Sequence, residues 1–121
     1  MQGFRRMRKH LKCAHCETLI AVAAYRPWLS WRLDIASYEG YQIMPMAGSL
    51  QLRIAEQRLA SASPDERERA QWRVDFIRAS LTEVIYDLPC PRGHQTLVTA
   101  PRIARAMRQA KGQWVTLTEV H

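Results

Sequence analysis

The chain has 121 residues, 47% of them hydrophobic, which suits one domain with one modest core. Its 18 basic residues outweigh 11 acidic ones and leave a net charge of +7. This composition excludes a disordered chain and a multi-domain enzyme, and no window approaches the ~18 apolar residues of a membrane-spanning helix.

The N-terminus is basic, with Arg5, Arg6, Arg8, Lys9 and Lys12 and no acid before Glu17. Met7 to Lys12 reads as a short strand, followed by Cys13-Ala14-His15-Cys16. Thr18 to Tyr25 is a β-rich apolar run closed by Pro27. A basic start followed by Leu19–Ala24 imitates a secretory signal. The run falls short of the ~7–15 apolar residues of a signal core, and Cys13, His15, Cys16 and Glu17 precede it. It therefore reads as a buried strand, and three cysteines fit a reducing cytoplasm better than a secreted disulfide scaffold.

Residues 28–46 hold Trp28, Trp31, Tyr38 and Tyr41 between proline and glycine breaks and read as strand and loop. From Ser49 to Ala60, Leu52, Ala55 and Leu59 follow a helical spacing, although Leu50, Leu52 and Ile54 also alternate like a strand. Ser63 and Pro64 then open a second helix, with Asp65, Glu66 and Glu68 near its positive end. Ala70, Val74, Ile77 and Leu81 form its apolar stripe, widened by Trp72 and Phe76. Val84 to Leu88 and Gln95 to Ala100 read as strands flanking Cys90. Pro101 opens a short helix ending at Gly112, a C-cap glycine, and Trp114, Val115 and Leu117 make a final strand.

One short repeat organises these elements. Leu11-Lys12-Cys13-Ala14-His15-Cys16-Glu17-Thr18-Leu19-Ile20 matches Leu88-Pro89-Cys90-Pro91-Arg92-Gly93-His94-Gln95-Thr96-Leu97-Val98. Each unit is strand, tight turn with two metal-ligating side chains, strand. Zn²⁺ prefers four thiolate or imidazole ligands in a tetrahedron. Cys13, Cys16, Cys90 and His94 supply that set and use every cysteine of the chain. No open coordination position remains, so the expectation is one structural zinc ion. Unrelated buried thiols, a redox pair at Cys13 and Cys16, and an iron–sulfur cluster are the competing readings. His15 sits inside the first turn as an alternative fourth ligand, while His10 and His121 read as spare.

The two turns and their flanking strands resemble zinc ribbons as a broad class. The resemblance covers about a quarter of the chain and implies an α+β fold. Its zinc-ribbon-like β core would be built from two knuckle hairpins, with a long helical insertion between them. A short C-terminal basic helix and a strand would follow. The single domain, 1–121, divides into a first knuckle hairpin (1–26), an aromatic and helical insertion (27–81), and a second knuckle with basic helix and final strand (82–121). The length of the insertion departs from the common ribbon.

Zinc ribbons often serve transcription, translation or nucleic-acid handling, so the resemblance implies a nucleic-acid-associated accessory factor. The charge distribution agrees. Arg5, Arg6, Arg8, Lys9 and Lys12 flank one knuckle, and Arg102, Arg105, Arg108 and Lys111 follow the other. Together they would form one phosphate-binding patch. The alternative is a protein-interaction module, in which the aromatic insertion 28–81 binds a larger complex or a second copy. No Ser-His-Asp order, phosphate-cradling glycine loop or His-Glu-x-x-His helix is present, so no enzyme is expected. A membrane partner is not expected either.

Overall fold

The computed structural model describes residues 7–26 and 32–119, so Arg5, Arg6, Trp28, Trp31 and His121 lie outside the described residues. The fold is α+β, with six strands in two sheets and three helices among the described residues. Strands β1 (Met7–Lys12), β2 (Leu19–Arg26) and β3 (Arg32–Ala36) form an antiparallel meander. A helical pair follows, α1 (Gly48–Ala60) and α2 (Pro64–Ala79). Then come the hairpin β4 (Ile85–Pro89) and β5 (Gln95–Thr99), helix α3 (Ala100–Gln109) and strand β6 (Trp114–Thr116). The larger sheet has the order β3-β2-β1-β6, with β6 parallel to β1. The smaller sheet is the β4–β5 hairpin alone.

The hairpin is a middle layer, because its side chains alternate between two cores. Tyr86, Leu88 and Val98 join Leu11, Ala23, Ile35 and Met107 between the larger sheet and α3. Ile85 and Leu97 face the other way and join Ala55, Val74, Phe76 and Ile77 of the helical pair. Residues 27–81 are therefore no appendage. Their first part supplies edge strand β3, and their helices cover one face of the second knuckle's hairpin.

Local chemistry explains the helix limits. Leu52, Ala55 and Leu59 point into the core while Leu50 is exposed, so the helical spacing prevails over the strand-like alternation in α1. Gly48 opens α1 where a Cβ would stand 3.3 Å from the Leu81 side chain. Leu81 is thus not the last residue of the α2 stripe. Helix α2 stops at Ala79, the Ser80 amide closes back onto the Ile77 carbonyl (3.1 Å), and Leu81 turns toward Gly48. Ser63 holds the N-cap position of α2 through its main-chain carbonyl, which accepts from Glu66 (3.0 Å).

Helix α3 ends earlier than the sequence suggests. Its C-cap is Ala110 in an extended conformation, and Gly112 lies beyond. A cation sits at this end: Lys9 Nζ donates to the carbonyls of the C-cap Ala110 (3.1 Å) and of Gly112 beyond it.

One ion pair crosses between the helical pair and the middle layer. Arg73 on α2 meets Asp87 on β4 at 2.9 Å, and both are largely buried. Arg73 Nε and Asp87 Oδ1 have no further hydrogen-bond partner. Removing one member of such a pair strands a charge in an apolar layer. Asp87→Ala should therefore cost about 3–5 kcal/mol. The double replacement Arg73→Met with Asp87→Leu should recover most of that loss, measured by urea unfolding.

Candidate metal centre

The two hairpins end in turns of related construction. In the first, the Cys13 amide donates to the Thr18 carbonyl (2.8 Å) and the Glu17 amide to the Cys13 carbonyl (3.0 Å). In the second, the Cys90 amide donates to the His94 carbonyl (2.9 Å) and the Gly93 amide to the Cys90 carbonyl (2.9 Å). Each turn has one left-handed residue, Glu17 (φ 60°) and Gly93 (φ 91°). Glycine adopts that conformation freely, whereas at Glu17 it costs roughly 1–2 kcal/mol. The second candidate ligand precedes the left-handed residue in the first turn and follows it in the second. That offset accounts for the different spacings, Cys-x2-Cys and Cys-x3-His.

Folding brings the four predicted ligands together. One donor atom each from Cys13, Cys16, Cys90 and His94 lies within 4.8 Å of all the others. Sulfurs around a tetrahedral zinc stand about 3.8 Å apart, from a Zn–S bond of about 2.3 Å. Cys16 Sγ and Cys90 Sγ are 3.5 Å apart, close to that spacing. All three cysteines are free thiols. His94 Nδ1 is buried with no hydrogen-bond partner, as expected of a nitrogen whose lone pair serves a metal. The donor set and its spacing fit a single ion.

The surroundings are arranged for negative sulfur. The His15 amide donates to Cys13 Sγ and the Arg92 amide to Cys90 Sγ, each at 3.4 Å. Buried Thr96 accepts from the Ala14 amide (3.2 Å) and donates its hydroxyl to Cys13 Sγ (3.8 Å). Thr96 belongs to β5, so it ties the second hairpin to the first turn. Such outer contacts orient ligands and spread thiolate charge. Hydrogen bonding with the Thr18 hydroxyl, then with the Thr18 backbone, lowers the Cys16 thiol to about 6. Burial pushes the Cys90 thiol up.

His15 stands outside the cluster. Its Nε2 lies 2.8 Å from Glu119 Oε1 and 3.2 Å from the Gln95 carbonyl. It is thus held by partners rather than merely solvated. Glu119 has the larger role, and nothing in the motif points to it. Its carboxylate takes both Arg69 guanidinium nitrogens (3.0 and 2.9 Å) and the Leu97 amide (2.7 Å) as well as His15. One side chain therefore joins α2, β5 and the first turn. The only sequence signal is that Glu119 is the sole acid after Asp87.

Among the described residues, the predicted basic side chains do not share one surface. Strand alternation puts Lys9 on the α3 side of the sheet with Leu11, and Arg8 and Lys12 on the opposite side. Lys9 is engaged at the end of α3, and Arg108 donates to the Tyr25 hydroxyl (3.2 Å) over the Tyr25 ring. Arg105 and Lys111 are exposed, and Arg102 is half-buried on α3. Arg5 and Arg6 lie outside the described residues.

No family model, curated protein or solved structure matches this chain. Among the described residues no helix is long and apolar enough to cross a membrane.

The Glu119 contacts generate a contrast. Glu119→Ala strands the Leu97 amide and His15 together, so it should cost about 2–3 kcal/mol. Arg69→Ala removes a half-exposed partner and should cost under about 1 kcal/mol. Denaturant unfolding measures both, and hydrogen exchange should quicken at the Leu97 amide in Glu119→Ala.

Proposed function

We propose that this chain is a zinc-ribbon-like protein whose single structural zinc joins two knuckles, and that its exposed basic residues associate with nucleic acid. The observation that carries the metal half is the set of four donor atoms within 4.8 Å. A span that small favours one ion over a [2Fe–2S] cluster, whose two irons hold their ligand pairs farther apart. Cys13, Cys16, Cys90 and His94 would fill a tetrahedral shell and leave no position for substrate, which supports a structural ion and a non-enzymatic role. The zinc supplies a crosslink worth on the order of 10 kcal/mol, comparable with the whole net stability of an ordinary domain.

The nucleic-acid half rests on charge. The net +7 of the chain favours polyanions. Arg8 and Lys12 have no ion-pair partner among the described residues, and Arg105 is exposed on α3. Bound nucleic acid would co-purify and leave in high salt. The second reading, a protein-interaction module, is favoured by Tyr41 and Met44, which are 70% and 65% exposed beside the second knuckle's hairpin. A clean protein that sediments as a dimer would favour it.

Elemental analysis should find one zinc per chain, and a strong chelator should unfold the protein. Cobalt substitution should give the intense visible absorption of tetrahedral thiolate coordination. Cys13→Ser, Cys16→Ser, Cys90→Ser and His94→Ala should each lose metal, while His15→Ala keeps it. A well-folded protein without metal would overturn the reading.

A further inference from the structure

The larger sheet has a second face, turned away from α3 and the middle layer. Strand alternation places Arg8, His10 and Lys12 of β1 on it, beside Trp114 and Thr116 of β6 and Val22 and Ala24 of β2. No described helix packs against it: α3 and the β4–β5 hairpin belong to the core on the Leu11 side. The backbone turn after β3 carries Tyr38 across to His10, where its hydroxyl meets His10 Nδ1 at 2.5 Å. The two rings are parallel within 7°, with centroids 5.8 Å apart. The contact holds the two rings together as a parallel, offset pair. Trp114 adjoins it, its ring centroid 4.8 Å from His10. Trp114 is 53% exposed and Tyr38 49% exposed.

This face therefore combines three adjoining rings with two cations that have no ion-pair partner among the described residues. Arg8, His10 and Lys12 succeed one another at about 7 Å along β1, the scale of the phosphate repeat in an extended single strand. Among the strand residues Asp34 is the acid on this side, and it lies on β3, two strands from β1. The cationic track thus runs along β1, with Trp114 of β6 beside it. A duplex hides its base faces, whereas a single strand offers them to any aromatic surface.

We propose that this outer sheet face binds single-stranded nucleic acid. Bases stack on Trp114 and against the His10–Tyr38 pair, and phosphates meet Arg8 and Lys12. The proposal rests on the nucleic-acid reading above, but moves its centre from the α3 arginines to the sheet.

The test is fluorescence anisotropy of the full metal-loaded chain against a labelled mixed-sequence single-stranded oligonucleotide and the matching duplex. The single strand should bind at least about tenfold more tightly than the duplex. Trp114→Ala and His10→Ala should each weaken single-strand binding by about tenfold, whereas Trp114→Phe, which keeps a ring, should stay within about threefold. Arg8→Gln and Lys12→Gln should each lower the salt slope by about 0.7. Arg105→Gln should leave the preference for single strand over duplex unchanged. A duplex preference overturns the proposal. So does full binding by Trp114→Ala and His10→Ala together with loss of binding in Arg105→Gln, an outcome that retains the nucleic-acid reading and places it on α3. Absence of binding to either probe at low salt overturns both.

Discussion

A two-stranded hairpin in water is marginal, and the second knuckle belongs to one. Among the described residues β4 and β5 have no third strand in their sheet, and Met46 adds a single bridge to Ile85. They persist because every layer of the molecule closes on them. The larger sheet and α3 bury Tyr86, Leu88 and Val98, and the helical pair buries Ile85 and Leu97. At the turn, Cys90 and His94 meet the two cysteines of the first hairpin. The rest of the architecture depends on holding this hairpin from both faces and from one end.

The contacts around the candidate metal centre divide that labour by chemistry. Apolar burial fixes the layers but has no directional preference. Direction comes from a small set of polar contacts between elements that never touch in sequence. Thr96 binds the first turn, and Arg73 binds Asp87. Glu119 gathers Arg69, His15 and the Leu97 amide. Each has one partner on β4, β5 or the turn between β1 and β2. Together they limit how far the two ligand-bearing turns slide past one another. A metal ion bound by this cluster would need that restraint, because its four donors come from two sheets.

The cluster of Cys13, Cys16, Cys90 and His94 was legible in the sequence because each half of it is local. Cys13 and Cys16 share one turn, Cys90 and His94 another, and the flanking Leu-x-Cys and Thr-Leu steps announce the strands. Helix α2 was legible for the same reason, through Pro64, the acids behind it and the stripe of Val74 and Ile77. What escaped was set at long range. Gly112 looks like a helix terminator, but α3 stops at Gln109 and Lys9, on another strand, binds the carbonyls of Ala110 and Gly112 beyond it. The nine basic residues look like one patch until strand alternation separates Lys9 from Arg8 and Lys12. Hydropathy alone does not distinguish the destinations of Ile85 and Tyr86, though the two side chains enter different cores.

Strand β6 pairs with β1 in parallel, His10 beside Trp114 and Leu11 beside Val115. Nearly the whole chain lies between these partners. Loop closure on that scale opposes early pairing, so contacts of this separation form slowly compared with the short-range α1–α2 hairpin. During synthesis the first knuckle and its strands emerge long before the residues that complete their sheet. Until then β1 keeps an open edge and Cys13 and Cys16 lack their opposite pair. The nascent chain is consequently exposed to strand-to-strand association for most of its translation, and a fast metal donor or a holding chaperone would act in that interval.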